Sequence, residues 1–167
     1  LMFQPQVNAV TEEIVGVDIS IRSLEIAERR LRLERMSPRQ RERIRLMQGA
    51  LTYRDRRLEG YDAAALVEVI EHLDPDRLPA LERAVFEFAR PRVIVVTTPN
   101  AEYNVRFAGM TPGQMRHADH RFEWTRAQFE DWARGVAGRQ LYTVAISPVG
   151  DVDRQVGPPS QMAVFSQ

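Results

Sequence analysis

The sequence predicts an open α/β sheet, mostly parallel, with an antiparallel strand pair at its C-terminal edge. Short apolar runs alternate with amphipathic helical segments from Ile14 onward, and the last two runs flank a Gly/Pro-rich connection. With 167 residues, 44% hydrophobic and 28% charged, the chain suffices for one domain with its own core, and residues 1–167 are read as that single domain. The absence of cysteine excludes a disulfide framework and any thiolate metal site. No apolar run approaches the roughly 20 residues that cross a bilayer, and no basic-then-apolar leader opens the chain. The cytoplasm is the expected compartment.

Each element has a local reason. Ile14-Val15-Gly16-Val17 is a short apolar run ending at Asp18, the signature of a buried strand. Ser20 is a good N-cap for a helix whose stripe is Ile21, Leu24, Ala27 and Leu31, stopped by Ser37-Pro38. Ile44 to Met47 reads as a second strand, and Arg54 to Gly60 as a polar turn. Ala63 to Val67 is apolar throughout, as a central strand covered on both faces is. Pro79 to Arg90 is helical, with Leu81, Val85 and Phe88 on one side. Val93 to Val96 is the clearest strand, ended by Thr98-Pro99-Asn100. Asn100 to Arg121 has no clean period and is expected to wrap over the functional edge of the sheet. Thr125 to Gln128 is a capping box, and Phe129, Trp132, Ala133 and Val136 continue the apolar face behind it. Gln140 to Ser147 and Gln161 to Ser166 are the final strands; Phe165 fits either edge-strand core or an interface. Internal repeats and low-complexity segments are absent from the sequence.

Net charge is zero, but it is unevenly placed. Residues 22–57 hold twelve arginines against five acids, and the remainder holds eleven arginines against eighteen acids. Every basic residue is Arg. A planar fork of donors suits phosphate, so the basic segment reads as a nucleic-acid path or as a solvated helix face.

Ligands of such sheets sit at the carboxyl ends of strands. Asp18 occupies one such end, where a carboxylate either grips the hydroxyls of a ribose or merely starts a helix. Glu68, Glu71 and His72 follow the third strand directly. If the chain turns helical there, spacings of three and four put them on one face. Two carboxylates and an imidazole suit Mn²⁺, Fe²⁺ or Mg²⁺ better than structural Zn²⁺; the alternative is a helix start whose acids favour the macrodipole. The zinc-peptidase pattern is absent, because Glu68 stands where its first His belongs. The other two histidines, His117 and His120, lie together in a loop beside Asp119, a candidate acceptor for fixing a ligating imidazole.

Ile14 to Ser20 (IVGVDIS) followed by Tyr61 to Leu73 (YDAAALVEVIEHL) resembles the class I S-adenosylmethionine-dependent methyltransferases, which have a Rossmann-like sheet. Val96 to Asn104 (VTTPNAEYN), Arg116 to Arg126 (RHADHRFEWTR) and Gly157 to Phe165 (GPPSQMAVF) narrow the resemblance to bacterial HEN-type RNA 3′-terminal 2′-O-methyltransferases. The resemblance runs from about residue 12 to the end. It implies metal-dependent methyl transfer from S-adenosylmethionine to the 2′-hydroxyl of the 3′-terminal nucleotide of RNA, in RNA repair. It implies Glu68, Glu71, His72 and His120 as the catalytic metal ligands for Mn²⁺, or Mg²⁺, with His117 as substitute for His120. It further implies cofactor contacts at Asp18, Ile19, Leu51 and Glu68 and RNA contacts at Arg54, Asn100 and Arg116. A polynucleotide kinase–phosphatase–ligase partner is expected on the same ground. A ribose hydroxyl is a poor nucleophile at neutral pH, and coordination to a divalent cation corrects that. His72 is also a candidate proton acceptor, although a nitrogen that holds a metal is not free to act as base.

The family's Asp-x-Gly-x-Gly-x-Gly loop, about 20 residues before the ribose-gripping acid, is not evident before Asp18. The expectation is a longer domain with a mobile cofactor loop omitted between about Val10 and Glu12. The competing classes are a small-molecule O-methyltransferase, which leaves the Arg116–Arg126 loop unexplained, and a degenerate domain that only binds RNA or a partner.

Overall fold

The predicted alternation of strand and helix is realised in a computed structural model that describes residues 12–111 and 113–167. The expected position of the omitted cofactor loop, at about Val10 to Glu12, reaches outside the described residues. Two compact units divide between Leu51 and Thr52.

In the first unit, β1 (Ile14–Asp18) pairs in parallel with β2 (Ile44–Gln48), and Gly16 lies opposite Leu46. A Cβ on Gly16 would stand 2.7 Å from Leu46 Cδ2, so glycine there leaves the Leu46 side chain its present place. Helix α1 (Ile21–Leu31) starts as read: Ser20 caps it by accepting from the Ser23 amide. It ends earlier than the sequence suggests. Arg32 adopts a left-handed conformation and donates its N–H to the last carbonyls. Ser37-Pro38 therefore does not stop a helix but begins one, α2 (Pro38–Glu42), through a capping box with Gln40. Among the described residues of this unit, Leu33, Ile44 and Met47 are the buried apolar ones.

The second unit is built on a mixed sheet ordered β3–β4–β6–β5. Strand β3 (Ala63–Val67) runs parallel to β4 (Val93–Pro99), β4 antiparallel to β6 (Ser160–Ser166), and β6 antiparallel to β5 (Thr143–Val149). The antiparallel strands are the two read from the C-terminal sequence. Among the described residues β3 lies at the end of this four-stranded sheet, with β4 as its paired neighbour, and Ala63 and Ala65 are exposed where the sequence suggested cover on both faces.

Between β3 and β4, α3 (Leu78–Glu82) widens into a π-helical segment, Arg83–Ala89, that buries Ala84, Val85 and Phe86. Phe88 points elsewhere and carries the Arg54 guanidinium over its ring. Helix α4 (Arg126–Gln140) has the predicted capping box at Thr125, and buries Phe129, Ala133, Val136 and Ala137 at helical spacing. It runs to Gln140, and a left-handed Leu141 ends it, so β5 begins three residues later than read. Phe165 is fully buried, stacked edge-on against Phe86 at 4.8 Å, which settles its role as core. Glu82, itself buried, accepts from Trp132 Nε1 and Arg139, tying α3 to α4. Among the described residues no helix is long and apolar enough to cross a membrane.

Candidate active site

The site grows from the point where β3 ends. Glu68 does not enter a helix. It takes a left-handed φ of 52°, a conformation that costs a residue with a Cβ about 1–2 kcal/mol and persists only when its surroundings hold it. Thr97 of β4 does the holding: its carbonyl and hydroxyl both accept from the Glu68 amide, and its hydroxyl donates to Glu68 Oε1 at 3.0 Å. The chain then makes a tight turn, Ile70–His72, anchored by a fully buried Ile70. The one-face helical arrangement of Glu68, Glu71 and His72 is therefore replaced by a bend and a turn.

That turn presents Glu71 and His72 to His120, brought from the loop before α4. The three side chains each offer a ligand atom within 4.8 Å of the others. Glu68 is outside this group, with one oxygen on Thr97, yet close enough for its charge to act on Glu71. His117 lies beside the cluster, its ring 5.0 Å from that of His120. The loop is docked by its backbone: the Arg121 amide donates to the Glu71 carbonyl at 2.7 Å. Behind it, the Trp124 carbonyl accepts from the Ala101 amide and from Gln161 Nε2.

The electrostatics favour a cation. Glu71 is 0% exposed; Thr98 donates to its Oε2, while Oε1 is buried with no hydrogen-bond partner among the described residues. Burial pushes its pKa from 4.5 up to about 7, with Glu68 and Glu123 adding to the rise. An orphaned carboxylate oxygen next to two imidazoles is the donor set of a divalent ion, and the residues fit the metal that the sequence implied. Each imidazole is backed by a carboxylate, His72 Nδ1 by Asp119 at 3.3 Å and His120 Nδ1 by Glu123 at 2.6 Å.

Two of the three residues read as RNA contacts have other work. Asn100 is fully buried: its amide donates to the carbonyls of Val156 and Pro158, and its oxygen accepts from the Glu102 amide. The Arg116 guanidinium donates to Asn104 Oδ1 and to the carbonyls of Asn100 and Pro159, and it lies over Phe107. Burial lowers its pKa. Both side chains are struts of the loop that carries His120. Arg54 is exposed, bonded to Glu59 and resting on Phe88. In the first unit, Asp18 Oδ1 accepts from the Ser20 amide at 2.8 Å, Ile19 is largely exposed, and Leu51 is half-buried.

Sequence reasoning missed Thr97, Thr98, Asn104 and Glu123. The pair of threonines closing an otherwise apolar strand was a usable signal for the first two.

No family model matches the chain. It is 42% identical over 127 residues to the small RNA 2′-O-methyltransferase of Xenopus tropicalis, covering 74% of this chain and 34% of that protein. The chain thus spans about a third of the length of that curated relative. A solved methyltransferase domain of bacterial CtHen1-CN superposes with a TM-score of 0.83 at 47% identity, over 93% of this chain and 78% of that one. A chain in a structure of the Pnkp1/Rnl/Hen1 RNA repair complex, at 22% identity and a TM-score of 0.64 over 93% of this chain and 32% of that one, shares the fold. The architecture is that of an α/β class I methyltransferase with a mixed sheet, and at this identity and coverage the chain belongs to the Hen1 methyltransferase family.

Proposed function

We propose that the chain is the catalytic domain of an S-adenosylmethionine-dependent methyltransferase that modifies the 2′-hydroxyl of the 3′-terminal nucleotide of RNA at a divalent-cation site. The observation that carries the reading is the buried Glu71 Oε1, without a hydrogen-bond partner among the described residues, beside His72 and His120 in a chain of the Hen1 family. Glu71, His72 and His120 would hold Mn²⁺ or Mg²⁺, with Glu68 adding charge and a further carboxylate at the rim. Such a cation, when bound, lowers the pKa of a ribose hydroxyl and orients it. The protein's own contribution is positioning. Thr98 fixes one oxygen of Glu71, Asp119 stands behind His72, and the Arg121–Glu71 backbone bond sets the loop's register on the turn. Asp18, at the end of β1, is the proposed grip on the ribose of the cofactor, beside Ile19 and Leu51. The arginines between Arg22 and Arg57, Arg54 among them, supply the phosphate-binding charge. The proposal extends to RNA repair beside a kinase–phosphatase–ligase partner, which the resemblance of the sequence to bacterial HEN-type enzymes supports.

The test is transfer from labelled S-adenosylmethionine to a short RNA in the presence of Mn²⁺. A 3′-terminal 2′-deoxy RNA and a chelator serve as controls. Transfer that disappears in both controls supports the reading. Transfer to the 2′-deoxy RNA, or transfer indifferent to the chelator, overturns it.

A further inference from the structure

The two carboxylate–imidazole pairs at the site are unequal. Asp119 and His72 are 72% and 39% exposed, so water competes for both partners. Glu123 and His120 are 2% and 3% exposed, and their contact is short. Glu123 is also held from every side. Its Oε1 accepts from the Arg116 amide at 2.7 Å as well as facing His120, and its Oε2 accepts from Asn104 Nδ2. Asn104 cannot rotate away, because Nδ2 also donates to the Gln114 carbonyl and Oδ1 accepts from Arg116 Nε. Donors thus converge on a group that accepts only, and the arrangement has a single polarity.

That polarity determines the state of His120. A neutral imidazole with Nδ1 against a carboxylate carries its proton on Nδ1, which leaves the lone pair on Nε2. Nε2 is then the nitrogen the ring offers to the cluster, and its orientation is set before any ion arrives.

We propose that Glu123 is a positioning residue that locks His120 in the Nδ1–H tautomer and thereby sets the cation affinity of the site. The inference rests on the proposed cation site and adds the residue that tunes it. Asn104 and Arg116 act one step further out, by keeping the Glu123 carboxylate from turning. This gives the buried polar network of Asn100, Asn104 and Arg116 a use beyond holding the loop.

The test has a readout that needs no catalysis. Long-range ¹H–¹⁵N spectra of the metal-free protein report the tautomer of His120, and titration with Mn²⁺ reports affinity. Wild type is expected to show a single Nδ1–H tautomer. Glu123→Ala is expected to show mixed tautomers and a Kd for Mn²⁺ raised about 10–100-fold, the range for loss of an outer-shell partner. Glu123→Gln keeps the volume and one acceptor oxygen, so an intermediate loss is expected from a fold preserved by shape. Backbone amide shifts of β5 and β6 establish that each variant is folded, and Glu123→Gln alone carries the test if Glu123→Ala is not. An Nε2–H tautomer in wild type overturns the inference, as does a variant that binds Mn²⁺ within twofold of wild type. Wild type that has the Nδ1–H tautomer but fails to bind Mn²⁺ overturns the cation site itself, and with it the affinity claim.

Discussion

Replacing Glu71 by Gln is expected to stabilise the metal-free protein at alkaline pH while removing its response to metal. The carboxylate is fully buried and one of its oxygens has no partner among the described residues, so ionising it in the absence of a cation is costly. Burial, reinforced by Glu68 and Glu123 and opposed by the backbone and Thr98 bonds, moves its pKa from 4.5 to about 7. At about 1.4 kcal/mol per pH unit, that displacement corresponds to about 3 kcal/mol. The sign follows from linkage. The folded pKa lies above the unfolded one, so the contribution is fully present below about pH 4.5 and is lost as pH rises through about 7. Gln carries no charge at any pH. Its amide hydrogens need an acceptor, which the Thr98 hydroxyl supplies, and about 1 kcal/mol is allowed for imperfect pairing.

Glu71→Gln should therefore match wild type within about 1 kcal/mol at pH 5 and exceed it by about 2 kcal/mol at pH 8 in EDTA. For a chain of this size that is a rise in Tm of about 4–8 °C. Mn²⁺ should reverse the order, because wild type gains about 2.7 kcal/mol at a hundred times Kd and the variant gains little. Thermal unfolding followed by circular dichroism at pH 5, 6, 7 and 8, with EDTA and then with Mn²⁺, measures all of this. A stability gap that does not change with pH, or a variant less stable than wild type at pH 8 in EDTA, would refute the reasoning.

Three further outcomes are expected. Arg116→Ala strips the donor from the carbonyls of Asn100 and Pro159 and from Asn104 Oδ1, and should cost about 2–4 kcal/mol by urea denaturation. The salt dependence of RNA affinity should not change; a shallower slope with unaltered stability would instead make Arg116 a phosphate contact. Asp153 is held down to about pKa 2 by Arg106 and by the amides of Gln155 and Val156. Its folded pKa lies below the unfolded one, so its contribution is present above about pH 3.8 and disappears as pH falls through about 2. Asp153→Ala should accordingly flatten the acid limb of a fluorescence-monitored pH titration in that window. Gly16→Ala forces a methyl group against Leu46 Cδ2 and should cost about 1–3 kcal/mol, a penalty that Leu46→Ala in the same chain should partly cancel. Strict additivity of the two urea midpoints would count against the contact.

The strands were legible because each is a short apolar run bounded by local turn signals, as Val93 to Val96 and Ile14 to Val17 show. The helix caps at Ser20 and Thr125 were legible for the same reason: the hydroxyl bonds an amide three residues away, and nothing distant competes. The site is a different kind of object. Glu71 and His72 could be picked out as a contiguous pair, and His120 by its loop, but their meeting depends on a backbone bond between Arg121 and Glu71, fifty positions apart. Periodicity put Glu68 on a common helical face with them, because no local rule places a glutamate in a left-handed conformation. There the bonds from Thr97, twenty-nine residues away, outweigh the local preference. Glu123 was hidden more deeply. A carboxylate three residues after a histidine is commonplace; it becomes a constraint on His120 only once Asn104 and the Arg116 amide have closed around it. The residues that contact a ligand can be found one at a time by their chemistry. Those that aim them are defined by hydrogen bonds between distant segments, and only the folded chain brings those segments together.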